Sequence, residues 1–165
     1  MYEAYKYDLR HQTINNGAAT LTAKFTVPGS STYYLSITVP EGRKFYLYDR
    51  TLSLDEGSYD IDVCSADSFT AGETTNTTNT PLNSDAASSV QTVLTYGAAN
   101  VVNPVVREYG IRDTGTGVGT ARARGAVGTQ GVFKVLTGSS LLRIIKNDAG
   151  NSRATIRLIC WEEAV

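Results

Sequence analysis

The stretch SLLRIIKNDAGNSRATIRLICW, residues 140–161, decides the fold class. Its second arm, 153–161, places apolar residues at every other position, which is the period-two pattern of a β-strand, and its first arm, 140–147, is rich in Leu and Ile. The connection NDAGN between them consists of turn-forming residues, so the sequence predicts a hairpin. One face of the second arm carries only uncharged, largely apolar side chains: Ala154, Ile156, Leu158 and Cys160.

The first arm is apolar on both of its faces. Leu142, Ile144 and Lys146 share one face, whereas Leu141 and Ile145 share the other. A strand with this composition needs cover on two sides. We therefore expect it to be a central strand.

Further strands are predicted upstream of this pair. Four segments show the same alternation: 21–27, 33–39, 44–49 and 58–64. In the last of them Tyr59, Ile61 and Val63 form an apolar face opposite two aspartates and a cysteine. Turn signals separate these segments: Pro28-Gly29, Pro40-Glu41-Gly42 and Asp55-Glu56-Gly57.

Two long segments interrupt the strand pattern. Residues 65–89 are rich in Thr, Asn, Ser and Ala and contain no Lys or Arg, and residues 115–131 are rich in glycine. The first is predicted to be a crossover between sheets that lies against protein, because a loop exposed only to water would carry more charge. The segment 84–97 contains a weak helix signal, with Ser84 as a candidate N-cap, and the sequence leaves open whether a short helix forms there.

These elements together predict an all-β protein. Many strands, long connections and little helix are typical of an antiparallel β-sandwich or jelly roll with long loops and at most one short helix. A chain of 165 residues fits one domain, here 1–165, with an N-terminal arm 1–18 and the long loop 65–89. Cys64 and Cys160 are expected to be reduced and buried, because no export signal is visible.

No catalytic or metal site stands out in the sequence. His11, the single histidine, lies in a polar stretch without a nucleophile motif and is interpreted as a solvated surface residue. The aspartates around 55–67 lack the spacing of a calcium loop and are interpreted as a solvated strand face. The segment GTGVG, 115–119, matches no phosphate-binding loop. We therefore expect no enzyme activity, no cofactor and no small-molecule substrate.

The sequence contains more candidate interface residues than candidate catalytic residues. Tyrosine gives a large rigid contact area with a polar end, and the chain has 10 tyrosines, three of them crowded at the N-terminus. Arg122 and Arg124 fall on one side of an extended chain, where they are able to grip a carboxylate or phosphate of a partner. The predicted interface candidates are Tyr2, Tyr5, Tyr7, Phe69, Pro81, Leu82, Arg122 and Arg124.

The net charge of −1 gives no sign of general affinity for nucleic acid, and no run of apolar residues is long enough to span a membrane. Neither nucleic acid nor membrane is therefore expected as a partner.

Six segments carry a resemblance to a known class of protein: the strands 33–39, 44–49 and 58–64, the polar segment 65–89, the glycine-rich segment 115–131 and the closing stretch 140–161. In these segments the chain resembles the small capsid cement, or decoration, proteins of tailed bacteriophages. The resemblance implies a jelly-roll virion protein that is made in the host cytoplasm and assembles, often as a trimer, on the head surface. There it would bridge neighbouring major capsid proteins. A tail or receptor-binding β-sandwich that recognises a surface glycan remains the alternative.

Overall fold

The computed structural model describes residues 9–15, 17–55, 59–74, 77–113, 121–124 and 134–165. One short helix precedes the strands: α1 (Leu9–Asn15). The strands are β1 (Ala19–Val27), β2 (Ser31–Thr38), β3 (Arg43–Leu54), β4 (Tyr59–Ser65), β5 (Ser68–Thr70), β6 (Glu73–Thr74), β7 (Thr78–Pro81), β8 (Val93–Tyr96), β9 (Ala99–Val102), β10 (Val105–Asp113), β11 (Ala121–Arg124), β12 (Lys134–Leu136), β13 (Ser139–Lys146) and β14 (Ser152–Ala164).

The strands form two large antiparallel sheets and one small one. The first sheet has the order β11-β3-β14-β1-β7, with β12 also paired to β3. The second sheet has the order β10-β4-β13-β2-β8-β6, and β5 pairs with β9 in a separate two-stranded sheet. The two large sheets pack face to face, which confirms the predicted all-β sandwich.

The connectivity is that of a jelly roll. Strands β1 to β4 alternate between the two sheets, and the last two strands return as central strands, β13 between β2 and β4 and β14 between β1 and β3. The remaining outer positions belong to β10 in the second sheet and to β11 and β12 in the first. This nesting of early strands around late ones gives the two Greek keys of the jelly roll.

A single apolar core fills the space between the sheets, and alternation along each strand determines which residues enter it. Ile156 and Leu158 of β14 lie in this core opposite Leu142 and Ile144 of β13, and all four are at most 1% exposed. The predicted apolar face of β4, Tyr59, Ile61 and Val63, is in the same core. The alternation therefore predicted the inward faces of these strands correctly.

The predicted hairpin between residues 140–147 and 153–161 is wrong. β13 belongs to the second sheet and β14 to the first, and neither pairs with the other. Their apolar faces bury each other across the sandwich, about 10 Å apart, instead of lying side by side in one sheet. The connection crosses between the layers, and there Asp148 O accepts a hydrogen bond of 2.6 Å from the Ser30 N–H.

The outer faces of both central strands are also buried. Leu141 of β13 is 0% exposed in a cluster on the outside of the second sheet, together with Cys64 and Phe69. Trp161 of β14 is 0% exposed on the outside of the first sheet, where its ring stacks on Tyr46 at 5.4 Å between ring centroids. The prediction of a central strand covered on two sides is confirmed for β13.

The segment 84–97 is not a helix, so this helix signal was misleading. Its first part turns, with the Asp85 N–H bonded to Asn83 Oδ1, and Val93–Tyr96 pairs with β2 as β8. The short helix lies instead at Leu9–Asn15, inside the predicted arm 1–18. It ends where the Ala18 N–H donates to Gln12 O, and Leu9 packs in the cluster around Trp161.

Both cysteines are buried free thiols, as predicted. Cys160 faces the core of the sandwich, whereas Cys64 lies on the outside of the second sheet. Burial raises the pKa of both thiols above the ordinary value, and this keeps them protonated and unreactive.

Gly29 lies in the connection between β1 and β2, which packs closely against the connection between β13 and β14. A Cβ at this position would lie 1.9 Å from Ala149 O, so Gly29→Ala must displace the connection between β13 and β14. We expect a loss of about 2–3 kcal/mol in the free energy of unfolding, measured by chemical denaturation. Gly42→Ala is the control, because Gly42 has open space and only a positive φ of 72°, which costs about 1 kcal/mol. Equal losses in the two variants would contradict the packing of the connections.

Candidate functional site

The segment between β4 and β10, residues 66–104, is the largest departure from a plain jelly roll, and we call it the insertion. It starts from the second sheet and adds β6 and β8 to that sheet's far edge. In between it crosses to the first sheet, where β7 pairs with β1. The expected crossover between sheets is therefore present, but the segment 65–89 is not a long loop, because it contains three short strands.

A buried carboxylate fixes residues 89–92, in the interior of the insertion. Glu162 of β14 has a side chain that is 0% exposed, and its Oε1 accepts the N–H groups of Gln91 and Thr92 at 3.0 and 2.6 Å. Its Oε2 lies 2.6 Å from Nε of Arg43, and Arg43 donates in turn to Ser89 O at 2.8 Å. Because these hydrogen bonds are charge-assisted, Glu162 holds this part of the insertion firmly against the first sheet.

The two ends of the insertion cover the second sheet from outside. Phe69, Ala98 and Val101 pack on Leu141 and on the buried thiol of Cys64. Phe69, which was predicted as an interface residue, is thus partly buried within its own chain. The insertion supplies the cover that the doubly apolar strand β13 requires.

Where β9 ends and β10 begins, residues 102–105 form an exposed turn, VNPV, that we call the apolar corner. Val102 and Val105 are 45% and 48% exposed, and Pro104 between them is exposed as well. Asn103 adopts a positive φ of 49°, its Nδ2 donates to Asp67 Oδ2 at 2.7 Å, and the Asp67 N–H donates to Val102 O at 3.0 Å. The corner is therefore both apolar and held in one conformation.

Preorganised apolar groups on the surface are suited to protein contacts. Apolar side chains that already have their bound conformation lose little entropy when a partner covers them. The sequence reasoning did not select Val102 or Val105. The signal that was present is the dipeptide Asn103-Pro104 between valines, a turn pattern flanked by apolar residues.

The other predicted interface residues have several different locations. Tyr2, Tyr5 and Tyr7 lie outside the described residues. Pro81 pairs with Ala19 at the end of β7, and the Leu82 N–H donates to Ala18 O at 2.9 Å while its side chain packs near Trp161. These two residues anchor the insertion within the chain, as expected of the crossover. Arg122 and Arg124 lie on β11, opposite Ser53 and Thr51 of β3.

The described titratable residues that were considered in the sequence lie in separate parts of the fold. His11 lies on α1 and is half-buried rather than solvated. Asp62 is also buried rather than solvated, because its carboxylate pairs with Arg143 at 2.6 Å. Asp55 hydrogen-bonds Arg153, and this contact holds the pKa of the Asp55 carboxyl below its ordinary value. GTGVG lies outside the described residues.

Aromatic rings cluster at the edge where the insertion extends the second sheet. Phe25 stacks on Tyr33 at 5.9 Å and on Tyr96 at 6.3 Å between centroids, and Tyr96 donates a hydrogen bond of 2.6 Å to the exposed carboxylate of Glu73. Burial, together with the charges of Tyr96 and Glu73, raises the pKa of Tyr33 to about 12. Both tyrosines are half-buried, so part of each ring faces solvent.

No protein-family model matches the chain, and no curated protein matches it. Among the described residues, no helix is long and apolar enough to cross a membrane. Over the same part of the chain, no three His, Cys, Asp or Glu side chains come together as a metal site would require.

Replacing the carboxylate that holds the insertion tests its role. Glu162→Gln removes the charge that strengthens the bonds to Gln91, Thr92 and Arg43, and we expect it to cost about 2–3 kcal/mol of the free energy of unfolding. Hydrogen exchange should also become faster at the amides of Gln91 and Thr92. Glu163→Gln, on the neighbouring and less buried residue, should cost about 0.5 kcal/mol or less. A Glu162→Gln variant as stable as Glu163→Gln would show that the carboxylate is dispensable.

Proposed function

We propose that this chain is a virion structural protein, a capsid cement or decoration protein that binds major capsid proteins on the head surface and bridges them. The observation that carries the proposal is the apolar corner, a rigid apolar projection on an insertion fastened to the scaffold by Glu162. The jelly roll is compatible with this role, since virion proteins use the fold, but so do lectin domains and cupins.

The size of the apolar corner favours a role in a repeating assembly. Burying a valine side chain contributes about 1.5 kcal/mol, so two half-exposed valines support only a weak contact. A stable interface between single molecules buries about 1,600 Å² in total, which the corner alone does not provide. When several copies are linked, weak contacts combine into tight binding. A capsid offers identical sites at regular spacing, and we infer that the protein occupies them as an oligomer, with a trimer favoured.

The test is binding to purified heads that lack the protein, followed by sedimentation. The double variant Val102→Ser/Val105→Ser should bind at least about tenfold more weakly than the wild type, because it removes the apolar contact area. Val135→Ser is the matched control, since Val135 is 43% exposed but lies on β12 of the first sheet. Thermal unfolding should show that all three chains are equally folded. Wild-type protein that stays in the supernatant, or a double variant that binds as well as the control, would refute the proposal.

A second candidate function rests on the aromatic cluster. Tyr33 and Tyr96, with the carboxylate of Glu73, combine aromatic faces and polar groups, as is typical of a surface that stacks on and hydrogen-bonds a sugar. This arrangement favours a tail or receptor-binding module that recognises a surface glycan.

A glycan array with the wild type and Tyr96→Ala separates the two functions. If the aromatic cluster binds a glycan, the wild type should bind a defined set of glycans and Tyr96→Ala should lose at least about tenfold in affinity. Tyr48→Ala is the control, since Tyr48 packs near Trp161 on the first sheet, away from Glu73. If no glycan binds, or if both variants bind equally, this second function is excluded for the cluster.

A further inference from the structure

The outer surface of the first sheet is covered at one end and open at the other. Leu9 and Leu82 pack over Trp161 and Tyr46 at the covered end. At the open end, the outward positions of β1, β14 and β3 carry only hydroxyl and cationic side chains. We call these residues the basic face: Thr22, Lys24, Thr26, Thr51, Ser53, Arg153, Thr155 and Arg157.

The orientation of the basic face follows from the core. Ala154, Ile156 and Leu158 point into the sandwich, so the alternate residues of β14 point outward. Arg157 lies between Thr22 and Thr51 in one transverse row, and Thr155 lies between Lys24 and Ser53 in the next. These rows place charged groups among short hydroxyl side chains, which leave the charged ends accessible.

The charge of this surface differs from that of the whole chain. The chain has a net charge of −1, yet the basic face carries three cations, Lys24, Arg153 and Arg157. Within the described chain, a carboxylate also lies at its border: Asp55 continues the row of Thr26 and Arg153 and pairs with Arg153 at 3.0 Å. Over the same described residues, Lys24 and Arg157 have no carboxylate within ion-pair distance. Both cations thus remain available to a partner.

The backbone of β11 pairs with β3 beside the basic face, with Arg122 opposite Ser53 and Arg124 opposite Thr51. A shallow cavity of about 490 Å³ also opens on this face, between Lys24, Thr26, Asp55, Arg153 and Thr155 among others.

We propose that the basic face is a second contact surface, and that its partner is a carboxylate-rich protein surface. Arginine forms paired hydrogen bonds with a carboxylate, and the Thr and Ser hydroxyl groups donate additional ones. Arg153 and Arg157 are separated by about 13 Å along the strand, which suits separate carboxylates on a folded protein. Nucleic acid fits less well, because such binding draws on many adjacent phosphate contacts and a strongly basic surface. The inference rests on the proposed function in one respect, which is that the partner is the capsid shell.

Two matched charge reversals test this surface. Arg157→Glu changes a cation of the basic face, and Arg107→Glu changes an exposed cation on β10 of the second sheet, with the same change in net charge. In the head-binding assay, Arg157→Glu should bind at least about tenfold more weakly at low salt, with a smaller difference at high salt. Arg107→Glu should bind as the wild type does. Equal binding of the two variants would overturn the inference.

A second assay without heads distinguishes failure of this inference from failure of the proposed function. The probes are immobilised poly-L-glutamate and a duplex DNA of equal charge. Wild type and Arg107→Glu should elute from poly-L-glutamate at higher salt than Arg157→Glu or Lys24→Glu, even if no chain binds heads. Equal elution of all four chains, or tighter binding of wild type to DNA than to poly-L-glutamate, would refute a surface specific for protein carboxylates.

Discussion

The structure depends on one constraint, which is that both central strands bury apolar side chains on each of their faces, β13 along its length and β14 near its C-terminal end. Leu142 and Ile144 of β13 face the sandwich core, and Leu141 faces outward, yet all are at most 1% exposed. In β14, Cys160 faces inward and Trp161 outward, both at 0% exposure. Two packed sheets alone would bury only one face of each strand. The chain must therefore supply a cover for the outside of each sheet.

The two covers come from the parts of the chain that are not needed for the jelly roll. Helix α1 and Leu82 of the insertion cover Trp161, and Phe69, Ala98 and Val101 of the insertion cover Leu141. The covers are also linked, because Ser89 donates to Gly17 O near the helix and Glu162 bonds the amides of Gln91 and Thr92. A substitution of Glu162 would thus loosen the packing on the outer surfaces of both sheets, although the residue itself lies on β14.

The periodicity of the sequence predicted where the strands lie, but it did not predict which strands pair with each other. Each of the six predicted strand segments overlaps one of the strands β1, β2, β3, β4, β13 and β14 and extends at most one residue beyond it, and the inward faces were mostly correct. The period breaks at Asp49, because β3 bulges against β14 there and Arg50 takes the inward position opposite Leu158. The hairpin was wrong because a turn signal such as NDAGN is the same whether the chain reverses within a sheet or crosses between sheets. Sheet membership is decided by long-range burial, which a local pattern does not contain.

The candidate sites were harder to predict for a related reason. Val102 and Val105 resemble ordinary strand residues, and only the bonds of Asn103 and Asp67 show that the turn holds them outward. Lys24 and Arg157 are far apart in sequence and come together only through the pairing of β1 with β14. Arg122 and Arg124 were recognised as a pair, but their neighbours on β3 could not be identified without the register.

The positions of these two surfaces bear on how the protein could act as a bridge. The apolar corner belongs to the insertion beside the second sheet, whereas the basic face is the outer side of the first sheet. Because the sandwich lies between them, one partner at each surface does not compete with the other for space. A contact through the apolar corner does not depend on charge, whereas a contact through the basic face is electrostatic and is weakened by salt. Each is small, so a single contact would dissociate readily. Under the proposed function, both together on one rigid scaffold would make the second contact intramolecular, and this would favour binding across two neighbouring subunits over binding to either one alone.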